Sequence, residues 1–155
     1  MSDRIARLYQ SIQARIEAAC QRAGRSVSSV RLVAVSKKRP NDNTRAPLRH
    51  RRSRLGENRV QDAREKIPQL PGDIRWHLIG PLQTNKAKYL PGMIACVQSI
   101  ERIEVAEALD KAYAKAGARC EVLVQVNVAG EEQKSGCEPA EAEALVRAVA
   151  AMEHS

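Results

Sequence analysis

The chain has 155 residues, 43% hydrophobic and 28% charged, as expected of one soluble domain with a buried core. No stretch reaches the roughly 20 apolar residues of a membrane-spanning helix, and the amphipathic start MSDRIARLYQ does not read as a signal peptide. The net charge of +8 hints at a polyanionic partner, yet Arg45, Arg49, Arg51, Arg52 and Arg54 against Asp42 place +4 of it within residues 41–55, so the excess belongs to one segment.

Aromatic residues make up only 3% and Phe is absent, so the core must be aliphatic. Cys20, Cys96, Cys120 and Cys137 are widely spaced without a C-x-x-C pair, which indicates neither a zinc site nor a disulfide framework. Reduced thiols and a cytoplasmic location are expected, with no membrane partner.

Residues 3–23 place Ile5, Leu8, Ile12, Ile16 and Ala19 on one helical face, and Gly24 is the expected stop. VRLVAVS (30–36) is a short β-branched run typical of a buried parallel strand. DIRWHLIG (73–80) and MIACVQSI (93–100) read as further strands, each followed by helical pattern. ERIEVAEALDKAYAKAG places Ile103, Val105, Ala106, Leu109 and Ala112 on one face and closes at Gly117. CEVLVQVNVAG (120–130) is the strongest strand, and EPAEAEALVRAVAAM after it is a helix with Pro139 near its first turn. Such alternation predicts an α/β fold of parallel strands joined by right-handed crossovers.

Functional residues in such folds gather at strand ends, where this sequence puts Ser36, Lys37, Glu57, Asn58, His77 and Asn127. Lys37 directly follows an apolar strand. A lysine partly removed from water there has a lowered pKa and can form a Schiff base with an aldehyde, although the loop SKKRP equally suits a solvated lysine. Alternation sends His77 and Trp76 to opposite faces, which allows His77 to be a hydrogen-bonded core residue as readily as a functional one. GENRVQ and GPLQTNK bring amides and glycines suited to a ring or a phosphate, as loops commonly do. GEEQKSG (130–136) lacks the G-x-x-x-x-G-K-[ST] spacing of a phosphate loop and reads as a polar strand-to-helix connection.

Taken in order, RLVAVSKKRP, GENRVQDAREKI, IRWHLIGPLQTNKAKYL, VQSIERIEVAEAL and VLVQVNVAGEEQKSG resemble the pyridoxal-phosphate homeostasis proteins over nearly the whole chain except residues 41–55. The resemblance implies a (β/α)8 TIM barrel like the N-terminal domain of alanine racemase. It also implies pyridoxal 5'-phosphate held as a Schiff base on Lys37, with Asn58 and His77 on the cofactor side. Members are regarded as cofactor carriers or buffers without an established reaction. The resemblance therefore implies no catalytic residue, no metal and a small-molecule cofactor as partner. A racemase-like enzyme is the alternative, and it needs a second acid/base residue opposite Lys37. A basic nucleic-acid binder built on Arg45–Arg54 is the other alternative, which the resemblance disfavours.

Two departures from the family pattern set further expectations. About five of the eight strands are accounted for within residues 1–155, a single incomplete barrel domain, and the loops after strands 7 and 8 that usually hold a phosphate in such barrels are not among them. Open edges at the first and fifth strands would then favour self-association. The second departure is the arginine-rich segment 41–55, which has the family's length without its chemistry. LRHRRSRL (48–55) can be encoded so that the neighbouring reading frame spells Tyr-Ala-Thr-Gly-Val-His-Asp-Phe, the family-like approach to GEN. A frameshift and its correction are expected, with an altered segment that makes a poor second helix around Pro47. In the restored frame four Arg are lost and one Asp gained, and the net charge falls from +8 to +3.

Overall fold

The computed structural model describes residues 2–35, 54–131 and 133–154. Lys37, Ser36 and the expected weak helix within residues 41–53 lie outside the described residues.

Helix α1 (Ser2–Arg22) ends where Gly24 takes a left-handed φ of 60°, and the Arg25 amide returns to the Cys20 carbonyl at 3.0 Å. A 3-10 turn, Val27–Ser29, follows, its start capped by the Ser26 hydroxyl, which accepts from the Ser28 amide. Then come β1 (Val33–Val35), β2 (Arg54–Glu57), α2 (Val60–Lys66), β3 (Arg75–Leu78), β4 (Cys96–Ile100), α3 (Ile103–Lys115), β5 (Glu121–Val124) and α4 (Pro139–Ala150).

All five strands are parallel and lie in the order β1-β2-β3-β4-β5, so spatial order follows chain order without reversal. That is the winding of a barrel rather than of a doubly wound sheet, whose order reverses at a switch point. The α/β reading and the five parallel strands of a partial (β/α)8 barrel hold. Val33 pairs with Arg54 and Arg54 with Arg75; Val35 pairs with Gly56, Gly56 with His77, and His77 with Cys96.

Because side chains alternate along a strand, each strand sends one set to the helices and the other into the barrel interior. Leu55, Trp76, Leu78 and Val97 form the helix-side set and pack in one cluster with Ala63, Val105, Leu109, Tyr113, Leu145 and Val149. Fully burying a side chain of this size contributes about 1.5–3 kcal/mol, so this layer dominates stability. Tyr113 adds a buried hydrogen bond from its hydroxyl to the Ile94 carbonyl at 2.6 Å. Arg54, Gly56, Arg75, His77, Cys96 and Glu121 belong to the interior set.

Three expectations need correction. Strands are shorter than the apolar runs: residues 93–95 precede β4 as a turn, and beyond Val124 the chain makes only an isolated bridge from Val126 to Cys137. The stretch after β3 is no α-helix but a six-residue 3-10 helix, Thr84–Tyr89, followed by a turn at Pro91. The apolar face read for α1 does not enter the core: Leu8 and Ile12 are 55% and 41% exposed, while Tyr9, Gln13 and Glu17 line a gap of about 740 Å³ with Val30, Arg31 and Leu32. The side of α1 that looks toward β1 is therefore the polar one, which cannot close on an apolar strand.

Candidate functional site

The hydrogen-bond register puts Val35, Gly56, His77 and Cys96 on one level of the interior face. Two residues further along β2, β3 and β4 come Asn58, Ile79 and Gln98, the next level, at the C-terminal mouth of the sheet. In the sequence, Lys37 stands at the same interval beyond Val35.

Asn58 and Gly80 are pressed together here. The Ile79 amide continues the ladder to the Glu57 carbonyl at 2.9 Å, and a β-carbon at Gly80 would stand 2.1 Å from the Asn58 carbonyl oxygen. Only glycine lets the two strand ends approach this closely. The Ser99 hydroxyl holds the same turn from β4, donating to the Gly80 carbonyl at 2.7 Å.

Across the mouth, the connection from β5 to α4 is pinned at several points. The Asn127 amide donates to the Cys137 carbonyl at 2.9 Å and its side chain to the Glu131 carbonyl at 3.0 Å. Gln125 donates to the Ser135 carbonyl at 2.8 Å. The Gly136 amide donates to the Glu101 carboxylate at 3.1 Å. A cavity of about 370 Å³ opens between the two halves, lined by Asn58, Gly80, Gln125, Asn127, Lys134 and Ser135 among others. The size suits a small ligand, and the lining offers amides, a hydroxyl and an amine, all able to hold a polar or anionic molecule.

Behind the mouth, on the helix side of β2, Glu57 has no exposed surface and its carboxylate accepts from the Lys66 ammonium of α2. This pair ties α2 to the strand that presents Asn58.

His77 lies one level below Asn58 and is 5% exposed. Gln98 Nε2 meets the His77 Nδ1 at 2.8 Å, while His77 Nε2 is buried without a hydrogen-bond partner among the described residues. Burial holds the imidazole pKa below its ordinary 6.5, and the Arg54 guanidinium adds to the effect, with Glu121 pulling the other way. His77 is thus neutral at physiological pH. Of the sequence candidates, Asn58 lines the cavity, His77 stands beneath the mouth, and Lys37 lies outside the described residues. Sequence reading missed Gln98, whose signal was a polar side chain at an interior position of the otherwise apolar strand CVQSI. It also missed Gln125 and Ser135, which meet only through the fold.

No group of three or more His, Cys, Asp and Glu side chains suited to a metal occurs among the described residues, and none of their helices is long and apolar enough to cross a membrane. The family model for the alanine racemase N-terminal domain matches residues 9–155. The chain belongs to that family. Within the alanine racemase N-terminal family it is 44% identical over 142 residues to the pyridoxal phosphate homeostasis protein of Deinococcus radiodurans, covering 91% of this chain and 66% of the relative. The corresponding Aquifex aeolicus protein is 41% identical over 126 residues, covering 81% of this chain and 55% of the relative. The chain thus spans between about half and two thirds of these relatives' lengths.

Among solved structures, a protein of unknown function from Bifidobacterium adolescentis superposes with a TM-score of 0.83 at 30% identity, covering 99% of this chain and 66% of that one. PipY of Synechococcus elongatus, solved with PLP bound, gives 0.71 at 31% identity over 90% of this chain and 65% of PipY. The sheet order described above is therefore that of the alanine racemase N-terminal fold.

Proposed function

We propose that this chain binds pyridoxal 5'-phosphate at the C-terminal mouth of its sheet and serves as a carrier of that cofactor rather than an enzyme. The observation that carries the reading is the cavity bounded by Asn58, Gly80, Asn127 and Ser135 at the strand ends, in a sequence that has Lys37 two positions beyond β1. Its volume and polar lining fit a ring with an anionic handle, and His77 Nε2, one level beneath and without a partner among the described residues, supplies a further buried polar atom. Similarity to the homeostasis proteins and to PLP-bound PipY supports the same ligand.

When bound, the cofactor supplies an aldehyde that condenses with a primary amine. Lys37 is the amine we assign, Asn58 a hydrogen-bonding neighbour, and the neutral His77 a polar group under the site. Gly80 keeps Asn58 in place, and the Glu57–Lys66 pair fixes the strand behind it. A carrier needs the aldehyde shielded and no acid/base pair at work. The described mouth supplies amides, a hydroxyl and the single amine of Lys134 rather than two opposed titratable groups.

Edge strands β1 and β5 expose Val35 and Leu123 to 51% and 54%, so we expect self-association through these edges, measurable by sedimentation. The four free, buried cysteines suit a cytoplasmic location. Mixing the protein with pyridoxal 5'-phosphate tests the main proposal: a lysine adduct that borohydride fixes, and that Lys37→Ala abolishes, is expected without amino-acid turnover. Racemisation of added alanine would instead favour the enzyme reading. No adduct at all would remove the cofactor reading.

A further inference from the structure

We infer that Gln98 is a positioning residue of the mouth, fixing His77 as the tautomer with its proton on Nε2 and so presenting a buried N–H donor to an acceptor atom in the barrel interior. An amide nitrogen can only donate, so the 2.8 Å contact from Gln98 Nε2 makes His77 Nδ1 the acceptor. A neutral imidazole carries one proton, which then resides on Nε2. That nitrogen is buried and finds no hydrogen-bond partner among the described residues.

A buried donor without a partner costs about 1–3 kcal/mol, so its retention points to an acceptor beyond the described residues. The surroundings say what kind. The groups that act on His77 from the neighbouring elements are Arg54 on β2, Arg75 on β3, Glu121 on β5 and Arg31 ahead of β1, with Cys96 beside it on β4. Three cations against one carboxylate oppose protonation of the ring, so His77 meets its partner as a neutral donor and not as a charge. The partner is therefore an oxygen or nitrogen acceptor, such as a phenolate, a carbonyl or an ordered water.

Gln98 belongs to the same level as Asn58, the upper one, while its amide turns down to the level of His77. It links the mouth to the ring beneath. Identifying the acceptor with an atom of the bound cofactor rests on the carrier reading. The tautomer and its control by Gln98 do not.

Long-range nitrogen–proton correlation spectra of the full chain, labelled with ¹⁵N, test the inference. Three histidines contribute, and the signals lost in His77→Gln identify the one required. The wild type should show His77 neutral and protonated on Nε2 at pH 7.5 to 8. In Gln98→Met the ring should lose this fixed tautomer. In Gln98→Glu a carboxylate would accept from Nδ1, moving the proton there and raising the ring's pKa by about 1 to 3. A wild-type ring protonated on Nδ1, or a Gln98→Met spectrum unchanged at His77, would overturn the inference; if Gln98→Met does not fold, the wild-type and Gln98→Glu spectra decide it. The borohydride-fixed adduct is measured separately: its absence with the Nε2 tautomer intact removes the cofactor reading and leaves the role of Gln98 standing.

Discussion

Glycine at position 80 is demanded by its neighbour rather than by its own backbone. Any larger residue would drive a β-carbon into the Asn58 carbonyl. Gly80→Ala should cost about 1–3 kcal/mol through forced strand separation, read as a lower melting temperature, and should weaken the lysine adduct by displacing Asn58. His77 supplies a pH dependence at the same scale. Its folded pKa lies below the ordinary 6.5, so the unfolded chain takes up a proton first as pH falls. Its contribution to stability is full above about pH 6.5 and is lost on acidification toward the lower folded value. Denaturant titrations across pH 5–7.5 should show this slope diminished in His77→Gln; equal slopes would refute it. At this scale the sequence named Asn58 and His77 but could not place them on successive levels, because register is set by pairing with strands distant in the chain.

Among elements, α2 and β2 are held by an ion pair in which the Glu57 carboxylate is wholly buried. Lys66→Met removes the ammonium from that carboxylate and should destabilise the fold by about 3–5 kcal/mol, the usual cost of breaking a buried pair from one side. Urea unfolding of the two proteins measures it. The element pattern was largely legible: helices α3 and α4 carry clear apolar stripes, α3 ends as Gly117 suggests, α4 starts as Pro139 suggests, and both lie where periodicity places them. The exception after β3 is the 3-10 helix Thr84–Tyr89, which an apolar pattern cannot tell from a short α-helix. Helix α1 misled in another way. Its stripe is real in the sequence, but a stripe does not say what it will face, and Leu8 and Ile12 stay exposed.

For the molecule as a whole, four cysteines distributed through the core act as reporters of global opening. Burial pushes the Cys96 and Cys120 thiols up to about 11 from an ordinary 9.0, with Tyr113 raised beside them. Both thiols stay protonated and unreactive at neutral pH, so iodoacetamide should label neither until the protein unfolds. Their neutral forms favour the fold fully below about pH 9, and that contribution is lost as pH rises toward 11. Alkaline unfolding should therefore begin in this window and coincide with thiol labelling. The parallel winding could be read from alternating strands and helices, but the cavity could not, since Asn58 and Asn127 meet only when β2 and β5 close on a common mouth.

Strand β2 bears on the gene as well as on the sheet. Its four residues alternate so that Leu55, 1% exposed, enters the helix-side core and Gly56 faces inward, where its missing β-carbon makes room for Ile79. If residues 41–55 arose by a shift of reading frame, the frame is recovered at the last codon for which this arrangement is forgiving. Leucine replaces the expected phenylalanine at 55 and still fills the core. One codon later, glycine would be lost against Ile79; three codons later, Asn58 would be lost from beside Gly80. The sheet thus marks how far such an error can run before it reaches Gly56, packed tightly on Ile79, and Asn58, pressed against Gly80.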